Sequence, residues 1–377
     1  MPSKIAIYGL STEGYYLASS LVMNGYDVSI VDESSKMAIP LNEDLARTYS
    51  TPNNIIEDES LLQTKNSDSI LNNCSYLFFC PKIRKVGTDV KIDVSSKFID
   101  AIKPIKKDSS IIYTLPVGIN GNSENIDILE HTTGMEAGDN IFYYYMPINS
   151  GPLLSTNINV GQLDYQYDPN LENMISAATK KKVAFIPLES SELSYISKIL
   201  RHYSGISSII EVCKHANGIS NPLTDPFYKD LYIDDIGNGL HDLRIIQTSL
   251  HGSTPMMYLI NGTIRSIEGY VKYLIDTVRK LLKKRDLKAS KTKVSLFWTL
   301  DFTEMRGDKL DMFSLFESKL RDYIGDVEPN GRYSLDQLAS DKTNISIACS
   351  KTDYNFLCKN SYPESIIIKA NPIYEVV

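Results

Sequence analysis

The stretch Lys4–Asp32, KIAIYGLSTEGYYLASSLVMNGYDVSIVD, decides the fold. It opens on Ile5-Ala6-Ile7-Tyr8, a short apolar run that reads as a buried strand. Gly9-Leu10-Ser11-Thr12-Glu13-Gly14 follows as a tight turn. From Tyr15 to Asn24 apolar residues recur at helical spacing, with Leu17, Ala18, Leu21 and Val22 on one face, and Gly25 stops the helix. Val28-Ser29-Ile30-Val31 is a second strand, with Asp32 at its carboxyl end. A strand–turn–helix–strand unit with an acidic residue about 20 positions past the turn is the order a dinucleotide site needs.

The turn can be read residue by residue. Gly9 permits the sharp exit from the strand, and Gly14 lets the helix pack closely on the sheet. The helix start offers unpaired N–H groups and a positive dipole end to a pyrophosphate. Asp32 is placed to accept hydrogen bonds from a ribose diol. Ser11 stands where the middle glycine of G-x-G-x-x-G lets the backbone approach the phosphates, and Glu13 adds a negative charge nearby. Both weaken the site. The competing reading is a βαβ unit that keeps the fold and binds nothing.

Composition narrows the class. At 377 residues the chain should hold two or three domains, and 42% hydrophobic with 23% charged residues is ordinary for a globular protein. No run approaches the ~18 apolar residues of a membrane helix, and the first strand begins too close to Met1 for a signal peptide, so a cytoplasmic protein is expected. A net charge of −7 argues against nucleic acid as the main partner. Cys74, Cys80, Cys213, Cys349 and Cys358 form no CxxC pair and no cluster with histidine, so neither a metal site nor a disulfide framework is expected. Cys74 and Cys80 bracket Tyr76-Leu77-Phe78-Phe79 and read as core thiols. The 24 tyrosines, against 11 phenylalanines, suit half-buried positions where the ring packs and the hydroxyl stays wet.

Further along, Glu33 to Asn73 is polar and reads as helix and loop. Strands are expected at Ser75–Cys80, Ile111–Tyr113, Ile141–Met146 and Val183–Ile186, with an amphipathic helix over Val94–Lys103. This alternation predicts an α/β fold whose N-terminal Rossmann-like domain, 1–188, has a parallel sheet with helices on both faces. A central helical region, 189–290, follows. It carries one long bridging helix, about 254–284, in which Met257, Ile260, Ile264, Ile267, Val271, Leu274, Ile275, Val278 and Leu282 keep the 3.6 period. Pro222–Gly239 is rich in Asp, Pro and Gly and reads as loop. Arg279–Lys293, RKLLKKRDLKASKTK, is basic. Cations favouring a helix C-terminus, followed by a solvated linker, explain it better than a nucleic-acid patch. From 291 to 377 a smaller α/β domain is expected, with strands at Lys293–Trp298, Asn344–Cys349 and Ser365–Lys369 and a helix over Leu310–Ile324.

In order and spacing this layout resembles the UDP-glucose/GDP-mannose dehydrogenase family. Ile5–Asp32 looks like that family's first βαβ unit, and DSSIIYTLPVG (108–118) like its strand and T-x-P-P-G loop. Ser191–Glu211 is similar to its first central helix, Asn261 matches the asparagine of its long helix, and Val294 onward looks like its nucleotide-sugar domain. The resemblance implies a homodimer built on the long helix, an NAD or NADP cofactor, and a dinucleotide or nucleotide-sugar ligand. It implies Gly9, Ser11, Gly14, Asp32, Thr114 and Pro116 as the cofactor-binding set.

The family oxidises a sugar alcohol to a carboxylate through a cysteine thioester. The resemblance therefore also implies which chemistry is missing. Asn238 falls where the thiol belongs, within DDIGNGLHD (234–242), and an amide forms no thioester. Gly205 and Ile210 stand at the lysine and asparagine positions, Ile112 at that of a glutamate, and Met146-Pro147-Ile148-Asn149 lacks the acid of the P-E motif. His241, Asp242 and Asn261 are the remaining catalytic candidates. His241 by itself reads more simply as a hydrogen-bonded residue of a Gly/Asp loop. The resulting expectation is a pseudoenzyme that binds NAD(P) or a nucleotide and acts as a sensor, regulator or scaffold. The alternatives are an oxidoreductase with altered two-electron chemistry and a ligand-free structural or interaction protein.

Overall fold

The structure, a computed structural model, describes residues 3–58, 62–84, 89–148, 157–163, 167–215, 231–330, 342–360 and 366–372. The chain divides into two compact units. One comprises Met1–Lys198, Arg244–His251 and Asp301–Gly307; the other comprises Ile199–Leu243, Gly252–Leu300 and Asp308–Val377.

The first unit is built on a nine-stranded sheet. Its strands are β1 (Lys4–Tyr8), β2 (Asp27–Asp32), β3 (Met37–Leu41), β4 (Lys65–Asn66), β5 (Tyr76–Phe79), β6 (Ser110–Tyr113), β7 (Phe142–Tyr145), β8 (Asn157–Gln162) and β9 (Lys182–Pro187), in the order β4-β3-β2-β1-β5-β6-β7-β8-β9. β1 lies parallel to both β2 and β5, with Ile7 opposite Ile30 on one side and Phe78 on the other. Ile5, Ile7, Val28, Ile30, Leu77, Phe78, Ile111 and Ile112 are all buried, as expected of strands covered on both faces. Each such side chain contributes ~1.5–3 kcal/mol by leaving water. After β4 the chain crosses to the other side of β1, so the β1/β5 border is the topological switch point, where the crevice of such a sheet opens.

Helix α1 (Thr12–Met23) packs Leu17, Ala18, Leu21 and Val22 inward and begins three residues earlier than the apolar period suggests. The reason is Ser11: its Oγ accepts from Gly14 N, which caps the helix at that point.

Two expectations need correction. Glu33–Asn73 is more than helix and loop, because β3 and β4 lie within it and pair antiparallel, β3 with β2 and β4 with β3. The sheet is parallel in its centre but mixed at the flanks, where β7 and β8 are also antiparallel. In Met37-Ala38-Ile39-Pro40-Leu41 the proline disguises the strand. The second correction concerns tyrosine. Tyr15, Tyr143, Tyr145, Tyr203, Tyr232 and Tyr270 are fully buried rather than half-buried. Burial is tolerated where the hydroxyl finds a partner: Tyr143 OH donates to Asn122 Oδ1 (2.9 Å), and Tyr145 OH accepts from Val117 N (3.3 Å).

The second unit carries a four-stranded parallel sheet, β11-β10-β12-β13, made of β10 (Thr292–Phe297), β11 (Val327–Asn330), β12 (Thr343–Ala348) and β13 (Ile366–Lys369). The long helix runs from Pro255 to Lys284, capped by Thr254 Oγ1 accepting from Met257 N. Ile260, Ile264, Ile267, Val271, Leu274, Ile275, Val278 and Leu282 form its buried stripe. The basic run ends that helix, passes through a 3-10 turn at Ala289–Lys291 and enters β10, where buried Lys293 pairs with Glu328 at 2.9 Å. Ile233–Gly237 is a short helix inside the stretch expected as loop, while the 222–230 part of that stretch lies outside the described residues.

Tyr270 is the exception among the buried tyrosines. Its hydroxyl has no hydrogen-bond partner among the described residues, and burial pushes its pKa well above the usual phenol value. An unsatisfied buried hydroxyl costs about 1–3 kcal/mol. Tyr270→Phe is therefore expected to raise stability by about 1 kcal/mol, where a phenol-to-phenyl change at a bonded tyrosine would lower it. The Tm by circular dichroism checks this, and a fall would contradict it.

Candidate functional site

The site that the sequence points to is the turn between β1 and α1. Gly9 has φ of +113°, and a Cβ there would lie 2.2 Å from the Cys80 carbonyl oxygen, so only glycine fits. At Gly14 a Cβ would meet Cys80 Cβ and Gly9 O at 3.1 Å. The two glycines thus hold the turn against the end of β5. Ser11, fully buried, donates from Oγ to Cys80 O (2.7 Å) while accepting from Gly14 N (3.2 Å). The hydroxyl at the middle-glycine position is therefore a structural cap.

The N–H groups that such a turn offers to a pyrophosphate are engaged within the unit. Leu10 N donates to Glu33 Oε2 at 3.0 Å, and the other oxygen of the same carboxylate accepts from Lys82 N at 2.9 Å. Thr12 N donates to Thr303 O at 2.8 Å, and Thr12 Oγ1 donates to Asp301 Oδ2 at 2.5 Å. Glu13 Oε2 accepts from Met305 N at 2.8 Å. The segment Asp301–Gly307 thus covers the start of α1. Arg84 holds it there, donating to the carbonyls of Phe302 (2.6 Å), Glu304 (2.8 Å) and Met305 (3.4 Å). Arg306 donates to Ile148 O (2.9 Å) and Tyr195 OH (3.3 Å). Burial pushes the Glu13 carboxyl up, against the pull of the Arg306 guanidinium and the Met305 N–H.

The other predicted cofactor residues are also committed locally. Asp32, buried at the end of β2, accepts from Ser34 N (3.0 Å) and Ser35 N (3.2 Å), closing the turn into β3. It borders a cavity of about 370 Å³ that also touches Tyr8, Glu33, Lys36, Asp68 and Lys103. Thr114 is fully buried and donates to Phe79 O (2.5 Å), and Pro116 is buried beyond it. Gly9, Ser11, Gly14, Asp32 and Thr114 therefore lie around the switch point, and the side chains of Ser11, Asp32 and Thr114 bond within the protein.

The catalytic candidates belong to the second unit. Asn238 caps the end of the Ile233–Gly237 helix and is buried, as are His241 and Asp242 at the start of the Leu240–Ser249 helix. His241 thus sits in a helical first turn rather than in a Gly/Asp loop, and its backbone N donates to Asp308 Oδ2 at 2.7 Å. Asn261 lies on the long helix and is half-buried. Ile112 and Ile210 are core residues. Burial pushes the Cys74 and Cys80 thiols up to about 12, and the Cys213 and Cys349 thiols up as well, which removes the thiolate a nucleophile requires. Cys358 alone is exposed. Among the described residues no group of three or more His, Cys, Asp and Glu side chains is arranged to hold a metal ion, and no helix is long and apolar enough to cross a membrane.

The residues that sequence reasoning missed are Glu33, Arg84 and Asp301–Thr303. Glu33 follows the acidic residue already singled out, and its side chain reaches back over the turn. The contacts from 301–307 span almost 300 residues of chain, and nothing local to either end announces them.

A switch-point crevice in a large mainly parallel sheet, followed by a second parallel sheet, defines a Rossmann-like α/β fold of two units. The whole chain superposes on solved structures of that kind. A UDP-D-ManNAc dehydrogenase from Pyrococcus horikoshii matches with a TM-score of 0.70 at 13% identity, covering 99% of this chain and 96% of that one. A UDP-glucose dehydrogenase from Pyrobaculum islandicum matches at 0.61 and 11% identity, covering 98% and 94%. The UDP-N-acetyl-mannosamine dehydrogenase Cap5O from S. aureus matches at 0.60 and 13%, covering 98% and 99%. No family model and no curated protein matches the sequence. At such identities the likeness is one of fold.

Two outcomes follow from the geometry. Ser11→Ala removes both a cap and a buried hydrogen bond and is expected to destabilise the first unit by about 1–2 kcal/mol in urea unfolding, with Ser11→Gly costing less. Iodoacetamide at pH 8 is expected to label the native chain at Cys358 alone and all five cysteines in urea, as counted by intact mass.

Proposed function

We propose that this chain is a non-catalytic counterpart of the nucleotide-sugar 6-dehydrogenases, acting as a regulator or scaffold rather than carrying out their four-electron oxidation. One observation carries the reading: the N–H groups of Leu10 and Thr12, which a pyrophosphate would need, already donate to Glu33 and Thr303. A dinucleotide does not fit the turn as folded, because its phosphate and the Glu33 carboxylate would compete for the same N–H with like charge. A hydrogen bond to a charged group is worth roughly 1.5–3 kcal/mol, so displacing Glu33 from two donors would weaken binding by several powers of ten. Asn238 at the position of the expected thiol, and buried thiols elsewhere, support the same reading from the chemical side. The position of the expected thiol holds no thiol, and Ile112, Gly205 and Ile210 supply no acid, base or cation. The same reading carries a homodimer through the Pro255–Lys284 helix.

A second reading keeps nucleotide binding. It is favoured by the 370 Å³ cavity beside Asp32, whose Lys36 and Lys103 offer positive charge next to a carboxylate placed for a ribose. The two readings separate in one experiment. With UDP-glucose, UDP-N-acetylmannosamine or GDP-mannose plus NAD⁺, no NADH is expected at 340 nm, and calorimetry is expected to find no saturable NAD⁺ binding tighter than roughly 1 mM. NADH formation would refute the non-catalytic reading. Tight NAD⁺ binding without turnover would favour a nucleotide sensor.

A further inference from the structure

A second cavity in the first unit, of about 440 Å³, opens at the amino ends of β5, β6 and β7, the end of the sheet opposite the β1–α1 turn. Its size is in the range of small-molecule sites. Four aromatic residues line it, Tyr76, Phe142, Tyr144 and Tyr167, and its charged wall residues are Asp108 and Asp168. Among the described residues that line it there is no lysine, arginine or histidine. Tyr167 is 58% exposed, yet it is held in place. Its ring meets Phe185 at 87° and 5.3 Å, where Tyr144 also meets Phe185 at 79° and 6.1 Å, and its hydroxyl donates to Glu172 Oε2. A fixed ring that stays largely in water contributes little burial to folding and is open to a ligand.

The carboxylates set the sign of the ligand. Asp168 Oδ2 accepts from Tyr76 OH at 2.9 Å, and Oδ1 accepts from Asn170 N (2.9 Å) and Leu171 N (3.1 Å), so its donors are neutral. Neither Asp108 nor Asp168 forms an ion pair among the described residues. Burial first, then the Asp168 charge, pushes the Tyr76 and Tyr144 phenols up, so that charge is within reach of both rings. The start of the helix Pro169–Thr179 offsets only about half a unit of negative charge, which leaves the cavity negative. Aromatic walls with a net negative charge attract a cation. A quaternary ammonium carries its charge beneath apolar methyl groups and needs no acceptor. It suits these walls better than a primary one, because three of the about four acceptor positions of Asp168 are already taken. We propose that this cavity binds a small molecule with a quaternary ammonium head, held by the rings of Tyr76, Phe142, Tyr144 and Tyr167 and by the charges of Asp108 and Asp168. The site shares no residue with the β1–α1 turn and does not rest on the non-catalytic reading.

Calorimetry on the full chain with three probes tests it: choline, ethanolamine, and the neutral isostere of choline in which a tert-butyl group replaces the trimethylammonium group. Choline is expected to bind saturably, roughly tenfold or more tighter than the neutral isostere, and more tightly than ethanolamine. Tyr167→Leu and, separately, Asp168→Asn are expected to weaken choline binding roughly threefold or more, whereas Tyr167→Phe keeps the ring and the affinity. Tyr167 is exposed, and asparagine replaces aspartate as a helix cap, so these variants are expected to fold, as circular dichroism checks. Failure of choline to saturate at about 10 mM in folded protein would overturn the proposal. So would binding of the neutral isostere or ethanolamine as tightly as choline, affinity unchanged in both Tyr167→Leu and Asp168→Asn, or a loss in Tyr167→Phe as large as in Tyr167→Leu.

Discussion

Everything at the centre of the first unit depends on how closely Gly9 passes the carbonyl of Cys80. The strands β1 and β5 leave the sheet side by side, and the chain turns over Cys80 at a distance that admits no side chain. Cys80 is then used repeatedly. Its N–H donates to Tyr8 O, its carbonyl accepts from Ser11 Oγ, and its sulfur accepts from Thr114 Oγ1. One crossing therefore fixes β1, the start of α1, the end of β5 and the loop after β6. The crevice is where it is because these four segments have no other way to pack.

Placing a helix start there creates an electrostatic demand. The first turn of α1 presents N–H groups and a positive dipole end at the switch point, and these groups must be satisfied in every state of the protein. An anion from solution is one solution, and the chain's own acceptors are another. Here Glu33 brings a full negative charge to Leu10 N, Thr303 brings a carbonyl to Thr12 N, and Ser11 caps Gly14 N. Glu33 also ties the turn to Lys82, as a bridging anion would. The helix start is stable without a ligand.

How much of this was legible depends on the range of the interaction. The βαβ unit was readable because its period changes, its glycines and Asp32 all lie within thirty residues, and local steric rules assign each one. The long helix was equally readable from its stripe and from Thr254-Pro255 at its start. β3 was missed because Pro40 breaks the pattern of a strand and its partner is antiparallel, against the logic of the rest of the sheet. At the candidate site the sequence shows which residues meet but not what they bond to. Ser11, Asp32 and Thr114 look like ligand contacts by position, yet each has an internal partner that only the fold supplies. Ser11 and Glu13 looked like damage to a phosphate site. In place, Ser11 is a cap and Glu13 is the acceptor for Met305 N.

That difference bears on how such a turn stays folded with no anion bound to it. A dinucleotide turn that merely lost its ligand would keep unpaired N–H groups against a dipole, at a cost of a few kcal/mol that a domain of marginal stability does not tolerate well. Such a turn is stable without an anion only if acceptors from the chain take its place. The acceptors found here come from two distant parts of the chain, Glu33 and Asp301–Gly307, and the second is held by three Arg84 hydrogen bonds to the carbonyls of Phe302, Glu304 and Met305. Stability alone therefore accounts for the arrangement: with its first N–H groups satisfied from within, the helix start needs no bound anion to stay folded.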